Sequence, residues 1–203
     1  MHNEILSKTQ VALLPLLAEF SKDFALVGGT AIALHLGHRQ SVDFDLFSYD
    51  DFTNSAVKRK IAPHATVENI LVNYAGEYTI VANGVKVTFL TYPYNIEAEA
   101  RLGRTIRMPD LLTLAAMKAF ALGRRAKWKD YVDIYYITKA EHSLAQIADK
   151  GKEIFGGEWN EKIFRESLSY FDDIDYSEKV IFMPQFAVDE QEIKKALTAL
   201  SIN

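Results

Sequence analysis

The stretch whose reading decides the fold is FALVGGTAIALHLGHRQSVDFDLF, residues 24–47. Phe24 to Val27 is short and apolar between Lys22-Asp23 and two glycines, the pattern of a buried strand. Thr30 to Leu36 predicts a helix, because Ala31, Ala33 and Leu34 favour one and Gly37 supplies a stop. After a polar loop that carries His38 and Arg39, Val42, Phe44 and Leu46 alternate with Asp43, Asp45 and Phe47. Strand side chains repeat every second residue, so the two carboxylates point to the same side of the sheet. Acids held together repel unless a cation lies between them, and a divalent metal is the usual one. The alternative is a pair of solvated charges on an exposed strand. Gly28-Gly29 likewise has two readings: a turn that lets backbone N–H groups approach a phosphate at a helix N-terminus, or a pair that only permits tight turning.

Outward from this stretch the pattern divides in two. Asn3 to Phe20 predicts a helix bent near Pro15, and Thr53 to Ile61 a short helix with Lys58, Arg59 and Lys60 at its C-terminal end, where they suit the helix dipole. Strands are expected at Ala65 to Val72, Glu77 to Ala82 and Val85 to Tyr92, the last two joined by an Asn83-Gly84 hairpin turn. From Pro109 onward every pattern is helical: Leu111 to Leu122, Trp128 to Lys139, Ser143 to Phe155, Trp159 to Tyr170 and Asp189 to Ile202. The expected fold class is α+β, a mixed β-sheet with flanking helices in residues 1–105 followed by an all-helical subdomain in 106–203.

Composition narrows the functional classes. With 203 residues, 49% of them hydrophobic, the chain can bury a sizeable core. A net charge of −4 excludes a non-specific polyanion binder, so any nucleic-acid contact is local. Having no cysteine, the chain cannot form disulfides or thiolate metal sites. No apolar run approaches the roughly 20 residues that span a bilayer, and MHNEILSKTQ lacks the features of a leader, so no membrane partner and a cytoplasmic location are expected. One region departs from the acidic balance: Arg101, Arg104, Arg107, Lys118, Arg124, Arg125, Lys127 and Lys129 face only Asp110 as an intervening acid. It reads as a phosphate- or RNA-facing surface to which Trp128 and Tyr131 add stacking, or as a solvated helix-loop-helix. Lys118 stands within an otherwise apolar helix and calls for a partner, and Asp130 and Asp133 share one helix surface, where they could pin neighbouring basic residues.

The Gly28-Gly29-Thr30 turn, the Leu36-Gly37-His38-Arg39 segment and Ser41-Val42-Asp43-Phe44-Asp45-Leu46-Phe47 resemble the AbiEii/AbiGii toxin-like nucleotidyltransferases, within the polymerase-β-like superfamily. Lys118, followed by Trp128-Lys129-Asp130-Tyr131-Val132-Asp133, resembles that family's lysine and its later basic-Asp-x-x-Asp helix, so two separated motifs stand in the right order. The resemblance implies a nucleotidyltransferase-like core that binds a nucleoside triphosphate and transfers a nucleotidyl group to an RNA or protein acceptor. In that reading Asp43 and Asp45 hold Mg²⁺. Gly28, Gly29, Thr30 and Arg39 contact the nucleotide, Lys118 neutralises phosphate, and Asp130 or Asp133 orients the lysine or contacts nucleotide or acceptor. A cognate antitoxin is the implied protein partner. Complete members carry a third carboxylate on a later strand, and the position that aligns here is the neutral Thr88. A domain that binds nucleotide, RNA or a partner without turnover, and transfer to a small molecule such as an aminoglycoside, are the competing readings.

Overall fold

A computed structural model describes residues 1–202. Its sheet has seven strands: β1 (Ala25–Val27), β2 (Phe44–Ser48), β3 (Val67–Tyr74), β4 (Glu77–Ala82), β5 (Val85–Thr91), β6 (Ala100–Leu102) and β7 (Ile106–Met108). Across the sheet the order is β3-β4-β5-β2-β1-β7-β6. The β2–β5 and β1–β7 pairs are parallel and the rest antiparallel. The mixed α+β architecture expected from the sequence is therefore present. The Arg101 to Pro109 connection, however, is a hairpin that adds β6 and β7 to the sheet, so the sheet extends to Met108. Strands of three residues carry too little alternation to be read from sequence.

The N-terminal helix is broken into a 3₁₀ turn at Asn3–Ile5, α1 (Lys8–Ala12) and α2 (Leu14–Ala18). Pro15 lies in the first turn of α2, where its missing N–H costs nothing, and the bend falls just before it. Helices α3 (Gly28–Leu36) and α4 (Asn54–Ile61) interleave with the strands. The C-terminal half is α5 (Leu111–Leu122), α6 (Trp128–Ala140), α7 (Leu144–Phe155), α8 (Glu161–Ser167) and α9 (Glu190–Ile202). Asp110 caps α5 by accepting from the Thr113 amide at 2.7 Å, and Ser143 and Gln146 form a capping box on α7. Residues 168–189, apart from a 3₁₀ turn at Pro184–Phe186, form an extended strap. It is tied at one end by bonds from Gln40 N to the Ile181 carbonyl and from Met183 N to the His38 carbonyl, and at the other by bonds between Ala126, Asp175 and Trp128.

One continuous apolar core joins sheet and helices, from Leu16, Leu17 and Phe20 through Leu26, Leu46 and Phe89 to Leu114, Val132 and Ile134. Beneath β5, Phe89 packs against Phe20 and Phe24 with ring centroids 4.7 and 5.5 Å apart. Among the described residues no helix is long and apolar enough to cross a membrane. Truncating Phe89 removes the ring on which Phe20 and Phe24 pack. Phe89→Ala is expected to lower unfolding free energy by about 3–5 kcal/mol in a urea titration, and a loss below about 1 kcal/mol would show that this contact is peripheral.

Candidate nucleotidyl-transfer cleft

Strand β1 turns directly into α3 at Gly28, whose φ is +71°, a backbone conformation that glycine adopts without strain. A Cβ at Gly28 would lie 2.3 Å from Asp45 Oδ2, and one at Gly29 2.6 Å from Arg39 Nη2, so both glycines give room to a charged side chain. Asp45 stands on β2 opposite Val27 of β1 and opposite Thr88 of β5, at the centre of the sheet. Asp43 precedes β2 by one residue and pairs with Lys86 of β5 at 2.8 Å. Burial and the neighbouring Asp43 raise the Asp45 carboxyl above its usual range, against the pull of Lys86, Lys129 and Lys118. The acid pair therefore favours an added positive charge.

Facing this strand end across a cleft of about 530 Å³ is α5. The cleft is lined on its polar side by Asp45, Lys86, Thr88, Lys118, Arg124 and Arg125, and on its apolar side by residues that include Phe47, Tyr92 and Phe120. Lys118, only 5% exposed, donates to Asp130 Oδ1 at 2.6 Å and lies 3.1 Å from Asp133 Oδ2; both aspartates are inaccessible to solvent. Asp130 also accepts from Arg125 Nε at 3.0 Å. Asp133 accepts a two-pronged pair from Arg39, at 2.7 Å from Nε and 2.8 Å from Nη2, and His38 Nε2 lies 2.8 Å from its Oδ1. Although desolvation opposes it, the Arg39 and Lys118 charges hold the Asp133 carboxyl well below the usual carboxylate range. Burial pushes His38 down despite Asp133, so the ring is neutral at pH 7 with its proton on Nε2, and Nδ1 is buried without a partner.

Residues 13–94 match the family described as "Nucleotidyl transferase AbiEii toxin, Type IV TA system". An uncharacterised protein of Aquifex aeolicus is 30% identical over 160 residues, spanning 74% of this chain and 75% of its own length. The chain belongs to the AbiEii nucleotidyltransferase toxin family. Two solved structures share the fold of this AbiEii-family chain. MenT4, a nucleotidyltransferase toxin from Mycobacterium tuberculosis, superposes with a TM-score of 0.66 at 13% identity, covering 96% of this chain and 83% of that one. JHP933 from Helicobacter pylori gives a TM-score of 0.63 at 16% identity, covering 97% and 92%.

In this AbiEii-family chain the structure brings Gly28, Asp45 and Lys118 to one cleft and aligns Thr88 with Asp45. Several side chains expected at the nucleotide point elsewhere. Thr30 is buried and its hydroxyl donates to the Asp43 carbonyl, with Ser41 Oγ at 2.9 Å, so it fixes the acid strand in place of the expected phosphate contact. Arg39 is spent on Asp133 and on the Gln40 carbonyl, which leaves its guanidinium no outward face. Asp130 and Asp133 both lie against Lys118, and Asp130 also pairs with Arg125, one of the neighbouring basic residues it was expected to pin. Trp128 and Tyr131 are buried and cannot offer stacking to an external base. The basic run is also divided: Arg107 bonds the Ser21 and Lys22 carbonyls, while Lys127 and Lys129 both bind Glu178 of the strap, whose carboxyl they pull down to about 2 against desolvation.

Sequence reasoning missed Lys86, whereas Arg125 stood in the expected basic region and pairs with Asp130. The signal for Lys86 was available, since it lies two residues before Thr88 on one strand and so faces the same side.

Removing the Asp133 charge leaves Arg39 and Lys118 buried with too little counter-charge. Asp133→Asn is expected to cost about 3–5 kcal/mol of stability, measured by denaturant unfolding at pH 7; a cost under about 1 kcal/mol would mean that water already screens the cluster. His38 carries a pH signature. Its proton affinity is lower folded than unfolded, so below an unfolded pKa of about 6.5 the unfolded chain binds more protons and stability falls as pH drops. His35, lowered mainly by burial, adds the same sign. Against wild type, His38→Gln should flatten the stability slope between pH 7 and 5 by up to about 1.4 kcal/mol per pH unit, and an unchanged slope would remove His38 from the cause.

Proposed function

We propose that this chain is an Mg²⁺-dependent nucleotidyltransferase of the toxin type, transferring a nucleotidyl group from a nucleoside triphosphate to a hydroxyl of an RNA or protein acceptor. The observation that carries the reading is Asp45 at a cleft whose opposite wall presents Lys118 already held by two buried carboxylates. The donor set fits one divalent ion: two carboxylates at alternate positions, with Asp45 raised by burial and by Asp43 as expected of an acid pair short of counter-charge. Asp43 and Asp45 would hold Mg²⁺, which when bound polarises the α-phosphate and neutralises developing charge.

The chain's own residues do the rest. Gly28 lets the Asp45 carboxylate stand against the turn into α3, because no Cβ takes up that space. Lys118 neutralises phosphate charge from the α5 side, and its two aspartates keep it extended and protonated, although burial alone would lower its proton affinity. Arg124 and Arg125 rim the same wall. The acceptor oxygen attacks the α-phosphorus, the bond to the bridging oxygen breaks and pyrophosphate leaves. The hydroxyl proton passes to solvent water as the new bond forms. Phe47, Tyr92 and Phe120 give the cleft its apolar wall.

Thr88, in register with Asp45, favours a second reading in which the cleft binds nucleotide without turnover. The cytoplasm is the expected compartment and a cognate antitoxin the expected protein partner under either reading.

Incubation of the protein with each α-labelled nucleoside triphosphate, Mg²⁺ and a cellular RNA or protein fraction separates them. Label is expected in one fraction, falling at least about 100-fold for Asp43→Ala, Asp45→Ala and Lys118→Met. Nucleotide binding with no transfer to any acceptor supports the second reading, and no binding at all in the presence of Mg²⁺ ends both.

A further inference from the structure

Lys86 is the feature that neither the family resemblance nor the cleft chemistry has used. Strand β5 runs parallel to β2 with Thr88 beside Asp45, and residues two apart on a strand share a face, so Lys86 and Thr88 are directed together at the acid pair. The Lys86 ammonium lies 2.8 Å from Asp43 Oδ2 and lines the cleft beside Asp45. It is about one-third exposed, on a stem free to swing. Two divalent ions at such a site need a third acid to hold them. The position beside Asp45 is Thr88, and among the described residues no three acids or histidines gather in a way that could hold a metal. The site therefore has two acids and one resident monovalent cation.

We propose that Lys86 takes the place of a second divalent ion: it bridges to the acid pair when the cleft is empty, and it moves onto the triphosphate oxygens when one divalent ion arrives with the nucleotide. This rests on the nucleotidyl-transfer reading and deepens it. Lys86 is competitor to the metal before nucleotide binds and partner to the phosphates afterwards. Loss of its charge has opposite effects on the two ligands, a signature that a merely structural lysine would not give.

Equilibrium dialysis of Mn²⁺ alone, and of Mn²⁺ with the α,β-methylene analogues of the four nucleoside triphosphates, tests this on wild type, Lys86→Met, Lys86→Arg and Thr88→Asp. Lys86→Met is expected to bind Mn²⁺ alone about three-fold more tightly, because a competing surface ion pair is gone. The same variant should bind the analogue about ten-fold more weakly, for want of a charged phosphate contact. Lys86→Arg should stay near wild type in both arms, and thermal melting reports folding of each variant. Wild type should hold one Mn²⁺ per analogue complex, and Thr88→Asp a second. Unchanged Mn²⁺ affinity in Lys86→Met, or two ions in the wild-type complex, overturns the role of Lys86 and leaves nucleotidyl transfer standing. Failure of wild type to bind any analogue with Mn²⁺ overturns both.

Discussion

The carboxylate of Asp133 is the point on which the rest of the site depends. It is inaccessible to solvent and takes Arg39 on both oxygens, with His38 and Lys118 beside it. A buried guanidinium or ammonium without a partner would cost several kcal/mol, so Asp133 makes it possible for three polar side chains to lie in the interior at all. Its consequence runs outward through the backbone. Arg39 is drawn across Gly29, and the loop after α3 is then fixed by Thr30 and Ser41 against the Asp43 carbonyl. Helix α6 thereby sets the position of an acid-bearing strand that it does not touch through the carboxylates themselves.

Two charge clusters sit back to back, and they are balanced differently. In the interior, Asp130 and Asp133 face Arg39, Lys118 and Arg125, and short charge-assisted bonds satisfy both acids. At the cleft, Asp43 and Asp45 face Lys86, and the Asp45 carboxyl is pushed up rather than down. In the first arrangement each carboxylate has its own cationic partners; in the second, burial and then the neighbouring Asp43 raise the Asp45 carboxyl.

Much of this was legible in the chain, for reasons specific to each element. The alternation in residues 42–47 places both acids on one side whatever the neighbouring strands are, and Thr88, aligned through the family resemblance, lies opposite Asp45. Lys118 announced a partner because a lysine in an apolar helix must have one, and Asp130 and Asp133 supply it. Arg39 and Thr30 were legible as polar groups near a turn but not in direction, because the partner of Arg39 lies 94 residues away and no local pattern encodes it. Trp128 and Tyr131 failed the same way: stacking aromatics and core aromatics share one composition, and only packing separates them.

The basic run at Arg101 to Lys129 shows why counting charge along a chain is weaker than pairing it in space. Arg107 is spent on the carbonyls that close the loop before β1, and Lys127 and Lys129 on Glu178 of the strap. A surface stripe that would track a long polyanion is therefore largely neutralised by its own neighbours. The cations that line the cleft are Lys86, Lys118, Arg124 and Arg125, gathered within one cavity of about 530 Å³ beside two carboxylates. A low-dielectric cavity strengthens every charge in it relative to the same charge on an open surface. The charge of this region is thus gathered at the cleft wall and in local ion pairs, and does not form a continuous stripe along the surface.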